Sequence, residues 1–289
     1  MGPRLAIAAL LVSVLAQLTA CVHARDFRAA DERMTPHSAY AEHARVRLDL
    51  ELLGPEPYNF VLNTGVTVAA VPDRLDLSLN LAHAGIGALS FQSKFTLVDS
   101  RWFGLGGRVG LTYVNPRTFW FLPRDLREVL GSFNLMSVPV ELWTSYPVAR
   151  WVVFHLGLSY RHAALWGRYE GDELLADSNI AQRSFGFAPY LDLFIAERVA
   201  IILGARLPVF MQAVARNDVE SELGPGLRVG VRSVEWVDLR FTDAFRAELG
   251  AETRFGANTH LRLSVNVGAF RPLGVLLVAP SLNLYWRFK

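Results

Sequence analysis

Residues 243–270 are DAFRAELGAETRFGANTHLRLSVNVGAF, two alternating stretches joined by a turn. In the second stretch Leu261 and Leu263 would lie on one face of an extended chain, with Arg262 and Ser264 on the other. A period of two is typical of β-strands, because successive side chains point to opposite faces. The stretch therefore predicts two antiparallel strands, each with one apolar and one polar face.

The same alternation continues from about residue 44 to the end of the chain, and it predicts an all-β fold. About twelve strands fit the pattern, and ten or fourteen are also compatible with it. The segment 223–242 is interpreted as a strand extended beyond the others or as a loop hairpin. The predicted strands are 44–53, 60–70, 75–83, 87–98, 102–113, 133–146, 151–162, 182–195, 199–212, 243–255, 260–270 and 275–288.

The connections between the predicted strands are sorted by length. Tight turns follow the even-numbered strands, and the long connections 114–132, 163–181 and 213–242 all fall on the opposite side. This sorting is typical of a transmembrane antiparallel up-and-down β-barrel, and a soluble periplasmic β-sandwich, the architectural alternative, has no reason to show it. Leu126, Val129 and Leu130 lie at helical spacing, so 122–130 is either a short helix or a packed loop.

Composition excludes several other classes. The 52% of hydrophobic and 11% of aromatic residues are wrong for a disordered chain, and the net charge of +2 gives no field that would attract nucleic acid. One apolar run, 5–18, is too little for a membrane protein built of helices, which needs several runs of about 20 residues. The single cysteine rules out a disulfide framework, and no spacing of metal ligands or cofactor motif is present.

The N-terminus has the pattern of a secretory signal. Residues 1–24 combine a basic start with an apolar run and a cleavage site of small residues. Leu18-Thr19-Ala20-Cys21 also matches a bacterial lipobox, which would make Cys21 a lipidated N-terminus. We interpret 25–43 as a loose, polar periplasmic lead-in and 44–289 as the barrel.

The last strand ends in LNLYWRFK, with alternating apolar residues and a nearly terminal aromatic ring. From residue 44 onward the chain resembles bacterial outer-membrane β-barrel proteins, a likeness to the class and to no specific family. The resemblance implies a place in the outer membrane of a Gram-negative cell, contact with its lipids, and recognition of Tyr285, Trp286 and Phe288 by the barrel-assembly machinery. An interfacial girdle is expected near the short turns. Its candidates are Trp102, Phe103, Trp143, Tyr146, Trp151, Phe194, Trp286 and Phe288.

If the apolar face meets lipid, the polar face lines a lumen. Both signs of charge are interleaved there, with basic residues ahead, so we expect either a paired and plugged interior or a narrow, slightly anion-favouring, porin-like channel. The small solute or surface partner stays open. The predicted lumen residues are Arg47, Glu51, Lys94, Arg108, Glu141, His155, Arg161, Asp192, Arg206, Arg246, Glu248, Arg262 and Arg287.

An outer-membrane lipid hydrolase or deacylase is the enzymatic alternative. Such an enzyme needs a serine beside a histidine that can take its proton. His155 and Ser159 share the inward face of one strand, but four residues span about 13 Å, too far for direct proton transfer. No lipase or protease motif surrounds any serine, so we expect no catalytic residue and no cofactor.

Overall fold

The computed structural model describes residues 37–52, 62–100, 102–149, 151–170, 174–196, 198–224, 227–239, 244–256, 258–270 and 275–288. The signal segment and Cys21 lie outside these residues. The strands are β1 Val46–Leu52, β2 Leu62–Val71, β3 Leu75–Asn80, β4 Leu89–Asp99, β5 Gly104–Val114, β6 Phe133–Ala149, β7 Val152–Glu170, β8 Leu174–Ala196, β9 Val199–Gly224, β10 Leu227–Leu239, β11 Ala244–Phe255, β12 Thr259–Phe270 and β13 Val275–Phe288. Within the described ranges the helices are α1 Leu81–Gly85, α2 Arg124–Leu130 and a single 3-10 turn at Pro116–Thr118.

The strands form one antiparallel sheet that closes on itself. The first and last strands pair, with Val46 opposite Phe288 and Leu52 opposite Leu282. Twelve strands make the ring, and β10 lies outside it because it pairs only with the upper part of β9. The predicted all-β barrel of about twelve strands is therefore confirmed, and the single closed sheet excludes the sandwich of two layered sheets.

Three strands continue far beyond the length that a membrane requires. β7 has 19 residues, β8 has 23 and β9 has 26, against about 9–11 needed to cross a bilayer. Val199–Arg206 of β9 pairs with β11, whereas Met211–Gly224 pairs with β10. The prediction of a long loop at 163–181 was wrong, and so was that at 213–222, because most of these residues are strand. The interpretation of 223–242 as a strand extended beyond the others is confirmed, since β10 pairs with β9 outside the ring. Outside the membrane no face must be apolar, so the alternation that marks a strand fades there.

The other long connections fold over the same end of the barrel. The predicted strand 75–83 ends at Asn80, whose side chain accepts a hydrogen bond of 3.0 Å from the His83 amide and starts α1. The indole N–H of Trp120 donates to the Gly85 carbonyl at 2.7 Å, which holds the β5–β6 connection against α1. Among the described residues, no helix is long and apolar enough to span a membrane.

The two faces of the wall carry opposite chemistry. On β11 Glu248 is 6% exposed, while the adjacent Leu249 is 57% exposed. On β12 Arg262 is 7% exposed and Leu263 is 50% exposed. In water this arrangement would expose the apolar face and bury the charged one, whereas in a bilayer the apolar face is buried in hydrocarbon. The protein is thus an outer-membrane β-barrel with a polar interior.

Aromatic side chains form part of the expected girdle. Trp102, Tyr146, Trp151 and Phe288 are exposed near the short turns, as an interfacial position requires. The assignment of Trp143 was wrong, because this residue has the inward parity of Glu141 and is buried. Phe194 also belongs inside, where it packs against Tyr40 and Val153.

We predict that the lipid-facing position Leu249 tolerates charge far less than an exposed apolar position above the membrane. Leu249→Arg should lower the free energy of unfolding by about 2–4 kcal/mol, because the guanidinium would enter hydrocarbon. Val231→Arg on β10 is the matched control, since Val231 is 63% exposed and lies outside the ring. Urea unfolding in phospholipid vesicles measures both, and equal losses would contradict the assigned membrane face.

Candidate functional site

The N-terminal residues 37–44, which we call the plug, cross the interior of the barrel at the short-turn end. Every plug residue except His43 is buried, although most of them are polar or small. The expectation was a loose lead-in, and its described part, 37–43, lies inside the wall instead. The physical reason is that the inward strand residues at this level include both hydrogen-bond acceptors and basic donors, which a polar extended segment can satisfy.

The backbone of the plug is held by side chains of three strands. Buried N–H groups need acceptors, and here the wall provides a separate one for each. The contacts are Ala39 N–H to Ser145 Oγ, Ala41 N–H to Thr96 Oγ1 and Glu42 N–H to Asp76 Oδ2, each 2.8 Å long. The plug is therefore docked without joining the sheet.

Glu42 is the electrostatic anchor of the plug. Its carboxylate is completely buried and lies 3.1 Å from a nitrogen of Arg47 and 2.8 Å from one of Arg287. It also accepts a 3.0 Å hydrogen bond from the Ala44 amide. Because a buried carboxylate is stable only when paired, Glu42 ties the plug to β1 and β13, the two strands that close the ring.

An aromatic cluster supports the other end of the plug. The His37 ring stacks on Tyr190 with centroids 3.6 Å apart, and Trp143 lies 5.5 Å from it. Both large rings fit because a glycine lies beside each: an added Cβ at Gly204 would meet Tyr190 at 2.0 Å, and one at Gly157 would meet Trp143 at 2.7 Å. His37 Nε2 is also 3.5 Å from Glu248.

A hollow chamber lies above the plug. It has a volume of about 360 Å³ and reaches from His37 to Asn80 and His83 at the outer end of β3. Glu141 stands in its wall, 3.3 Å from Arg108 and 3.4 Å from Arg206. The charged groups of the lining are six arginines and four carboxylates, namely Arg47, Arg108, Arg161, Arg206, Arg246, Arg262, Asp49, Glu51, Glu141 and Glu248.

The predicted lumen residues divide between these two levels. Arg47, Glu51, Arg108, Glu141, Arg161, Arg206, Arg246, Glu248 and Arg262 line the chamber. Lys94, His155, Asp192 and Arg287 are buried at the level of the plug. Lys94 donates to Ser38 Oγ at 3.2 Å, a direct contact with the plug.

Sequence reasoning missed two of the residues that receive the plug, Ser145 and Thr96. Ser145 and Thr96 have the inward parity of Glu141 and Lys94, so their period-two positions could have found them. Nothing local in the sequence points to Ala39 as their neighbour. Tyr285 of the proposed assembly signal also points inward and donates to Glu252, whereas Phe288 is exposed on the outer face.

Ser145, His155 and Asp192 form a hydrogen-bonded chain. Ser145 Oγ is 2.8 Å from His155 Nδ1, and His155 Nε2 is 3.0 Å from Asp192 Oδ2. The serine comes from β6, directly opposite His155 on β7, which is why a search along one strand did not find it. A serine, a base and a carboxylate in this order are the parts of a nucleophilic site.

The environment of this serine fits docking better than catalysis. Ser145 is 0% exposed, and its Oγ already accepts the Ala39 amide. An acyl carbon has no approach to Oγ while the plug is in place. The chain of three residues instead orients the serine oxygen toward the plug. Among the described residues, no group of three or more His, Cys, Asp and Glu side chains is placed to hold a metal ion.

Comparison with known proteins finds distant likenesses among solved structures. No protein-family model and no curated protein matches the sequence. Among solved structures, the NanC porin is 8% identical, with a TM-score of 0.39. The alignment covers 84% of this chain and 99% of the NanC chain. The toluene transporter TbuX of Ralstonia pickettii is 10% identical, with a TM-score of 0.41 over 86% of this chain and 90% of its own. The outer-membrane protease OmpT of Escherichia coli is 9% identical, with a TM-score of 0.36. The alignment covers 86% of this chain and 98% of the OmpT chain.

We predict that Glu42→Gln loosens the plug. The substitution removes the charge that two buried arginines share, and breaking such a pair costs about 3–5 kcal/mol. Amide hydrogen exchange at Ala39, Ala41 and Glu42 should become at least about tenfold faster, since these amides are the docked donors.

The matched control is Glu128→Gln, which removes the same charge from a pair with Arg124 on the exposed surface of α2. Exposed pairs contribute about 0–1 kcal/mol, so exchange in the plug should not change. Unchanged exchange in the Glu42 variant would show that the carboxylate does not anchor the segment.

Proposed function

We propose that the protein is an outer-membrane channel that its own plug holds closed. The observation that carries this proposal is the position of residues 37–44, which fill the lumen at the short-turn end while the chamber above stays hollow. A barrel of twelve strands is wider than the eight-stranded kind that wall side chains can fill. A separate segment is therefore needed to close it.

The chemistry of the contacts favours a plug that can leave. Ser145, Thr96 and Asp76 hold it through single hydrogen bonds to its backbone. These wall groups are polar, so water can replace the plug at each of them at little cost. The cost of opening comes from the other contacts, because Glu42 would leave Arg47 and Arg287, and Ala39 and Tyr40 would leave the apolar clusters in which they pack, so the closed form is the resting state.

We also propose that the outer face of the wall determines the partners of the barrel. Exposed leucines would contact outer-membrane lipids, and Trp286 and Phe288 at the end of β13 would be read by the barrel-assembly machinery.

The central prediction is that a disulfide between the plug and the wall controls conductance. Ala41→Cys and Thr96→Cys place one thiol on each side of the 2.8 Å contact between the Ala41 amide and Thr96 Oγ1, and loss of free thiol on oxidation shows that the disulfide has formed. Both changes are made together with Cys21→Ser, because Cys21 is the only native cysteine. In planar bilayers the oxidised protein should be silent, and the reduced protein, which has lost the Thr96 acceptor, should give unitary current steps.

The single variants Ala41→Cys and Thr96→Cys are the controls, and their conductance should not respond to oxidant. Current through the oxidised double variant would refute closure by the plug. Silence of the reduced double variant together with silence of Glu42→Gln would refute a channel and establish a permanently plugged, structural barrel.

The hydrogen-bonded chain at Ser145 supports a second candidate function, acyl transfer by a lumen serine. We expect docking to prevail, so a fluorophosphonate probe should not label the wild-type protein or the reduced disulfide variant. His155→Ala and Ser145→Ala serve as controls for any signal. Labelling of the reduced variant that both changes abolish would favour a hydrolase that the plug covers.

A further inference from the structure

Charge is distributed unevenly along the lumen. The carboxylates of Glu42, Asp76, Asp192 and Glu252 are buried at the level of the plug, each in contact with plug or wall donors. The chamber above has six arginines against four carboxylates in its lining. The lumen wall is thus close to neutral as a whole, but the chamber has two more positive than negative groups in its lining.

We infer that the chamber binds a small, hydroxylated organic anion through Arg206 and Arg246. The inference rests on the proposed function, since it names the class of solute that the channel would take. It goes beyond a general preference for anions because it assigns a site, a pair of binding residues and a solute chemistry.

Arg206 and Arg246 occupy an unusual position on neighbouring strands. They are directly opposite each other in the register of β9 and β11, and both side chains line the chamber. Like charges directly opposite on a sheet are destabilising. An oxyanion between the two guanidinium groups converts this repulsion into two charge-assisted interactions.

Glu141 contacts Arg206 and Arg108 through separate oxygens. One of its oxygens is 3.4 Å from Arg206, and the other is 3.3 Å from Arg108. Close arginine–carboxylate pairs have distances of about 2.7–2.9 Å and are often bidentate. The two Glu141 contacts are longer than this, so a carboxylate or phosphate with two available oxygens can compete with Glu141 for Arg206.

The size and the walls of the chamber indicate the rest of the solute. A volume of about 360 Å³ lies at the lower end of the range of about 300–1,000 Å³ for small-molecule sites. Hydroxyl and amide groups surround the arginines, and they suit a solute with several hydroxyls. These wall residues are Asn63, Thr112, Ser137, Ser264, Ser281 and Asn283.

Calorimetric titration of the refolded full chain in detergent at low salt tests the site. The probes are D-glucuronate, glucose 6-phosphate and neutral glucose. We expect at least one of the two anions to bind at least tenfold more tightly than glucose. Binding of glucuronate alone assigns a carboxylate, and binding of glucose 6-phosphate alone assigns a phosphate. Equal binding of glucose and both anions, or binding of none of them, would overturn the inference.

The double variant Arg206→Gln/Arg246→Gln should weaken anion binding at least tenfold. Arg232→Gln is the matched control, because Arg232 is exposed on β10 and pairs with Asp218 outside the ring. If the double variant does not refold, each single change is measured instead, and each should weaken binding. Full affinity in the variants would overturn the inference.

The oxidised disulfide variant separates this inference from the proposed channel. It keeps the chamber and cannot conduct, so anion binding by this protein is measured independently of opening. Anion binding together with silence both after reduction and in Glu42→Gln would support the anion site and refute the channel. Current after reduction without anion binding would support the channel and refute the anion site.

Discussion

The pairing of β1 with β13 is the contact on which the rest of the structure depends. A sheet in hydrocarbon has no water to satisfy its edges, so it must close into a ring. With Val46 opposite Phe288, every strand of the ring has two neighbours, and each side chain then faces either lipid or the lumen. The apolar outside and the ionic inside follow from closure together with the period of two.

Closure of the ring also encloses charged side chains, and the plug provides a partner for some of them. Charged side chains inside the ring are removed from bulk water and need partners close by. Arg47 and Arg287 lie on the two strands of the closing seam, and the carboxylate that lies between them is Glu42 of the plug. The same segment therefore blocks the lumen and neutralises the seam, so the fit of the plug and the stability of the ring are coupled.

The sequence predicted what depends on local pattern and missed what depends on distant pairing. β11 and β12 were found to within a residue, because lipid on one side and a tight turn between them leave a strong signal. The upper halves of β8 and β9 were taken for loops, since no apolar face is required above the membrane. Ser145 meets Ala39 across 106 positions of the chain, and no alternation reports such a contact.

The two levels of the lumen divide the work of the proposed channel. Asp76, Asp192 and Glu252 are buried at the level of the plug, whereas arginines are in excess in the chamber. If these carboxylates and arginines were mixed at one level, every movement of the plug would also alter the electrostatic field that an entering solute meets. The plug amides contact Ser145, Thr96 and Asp76 while Arg206 and Arg246 line the chamber, so in the proposed channel opening would leave both arginines in the wall. His37, which lines the chamber and stacks on Tyr190, is the point at which the two levels touch.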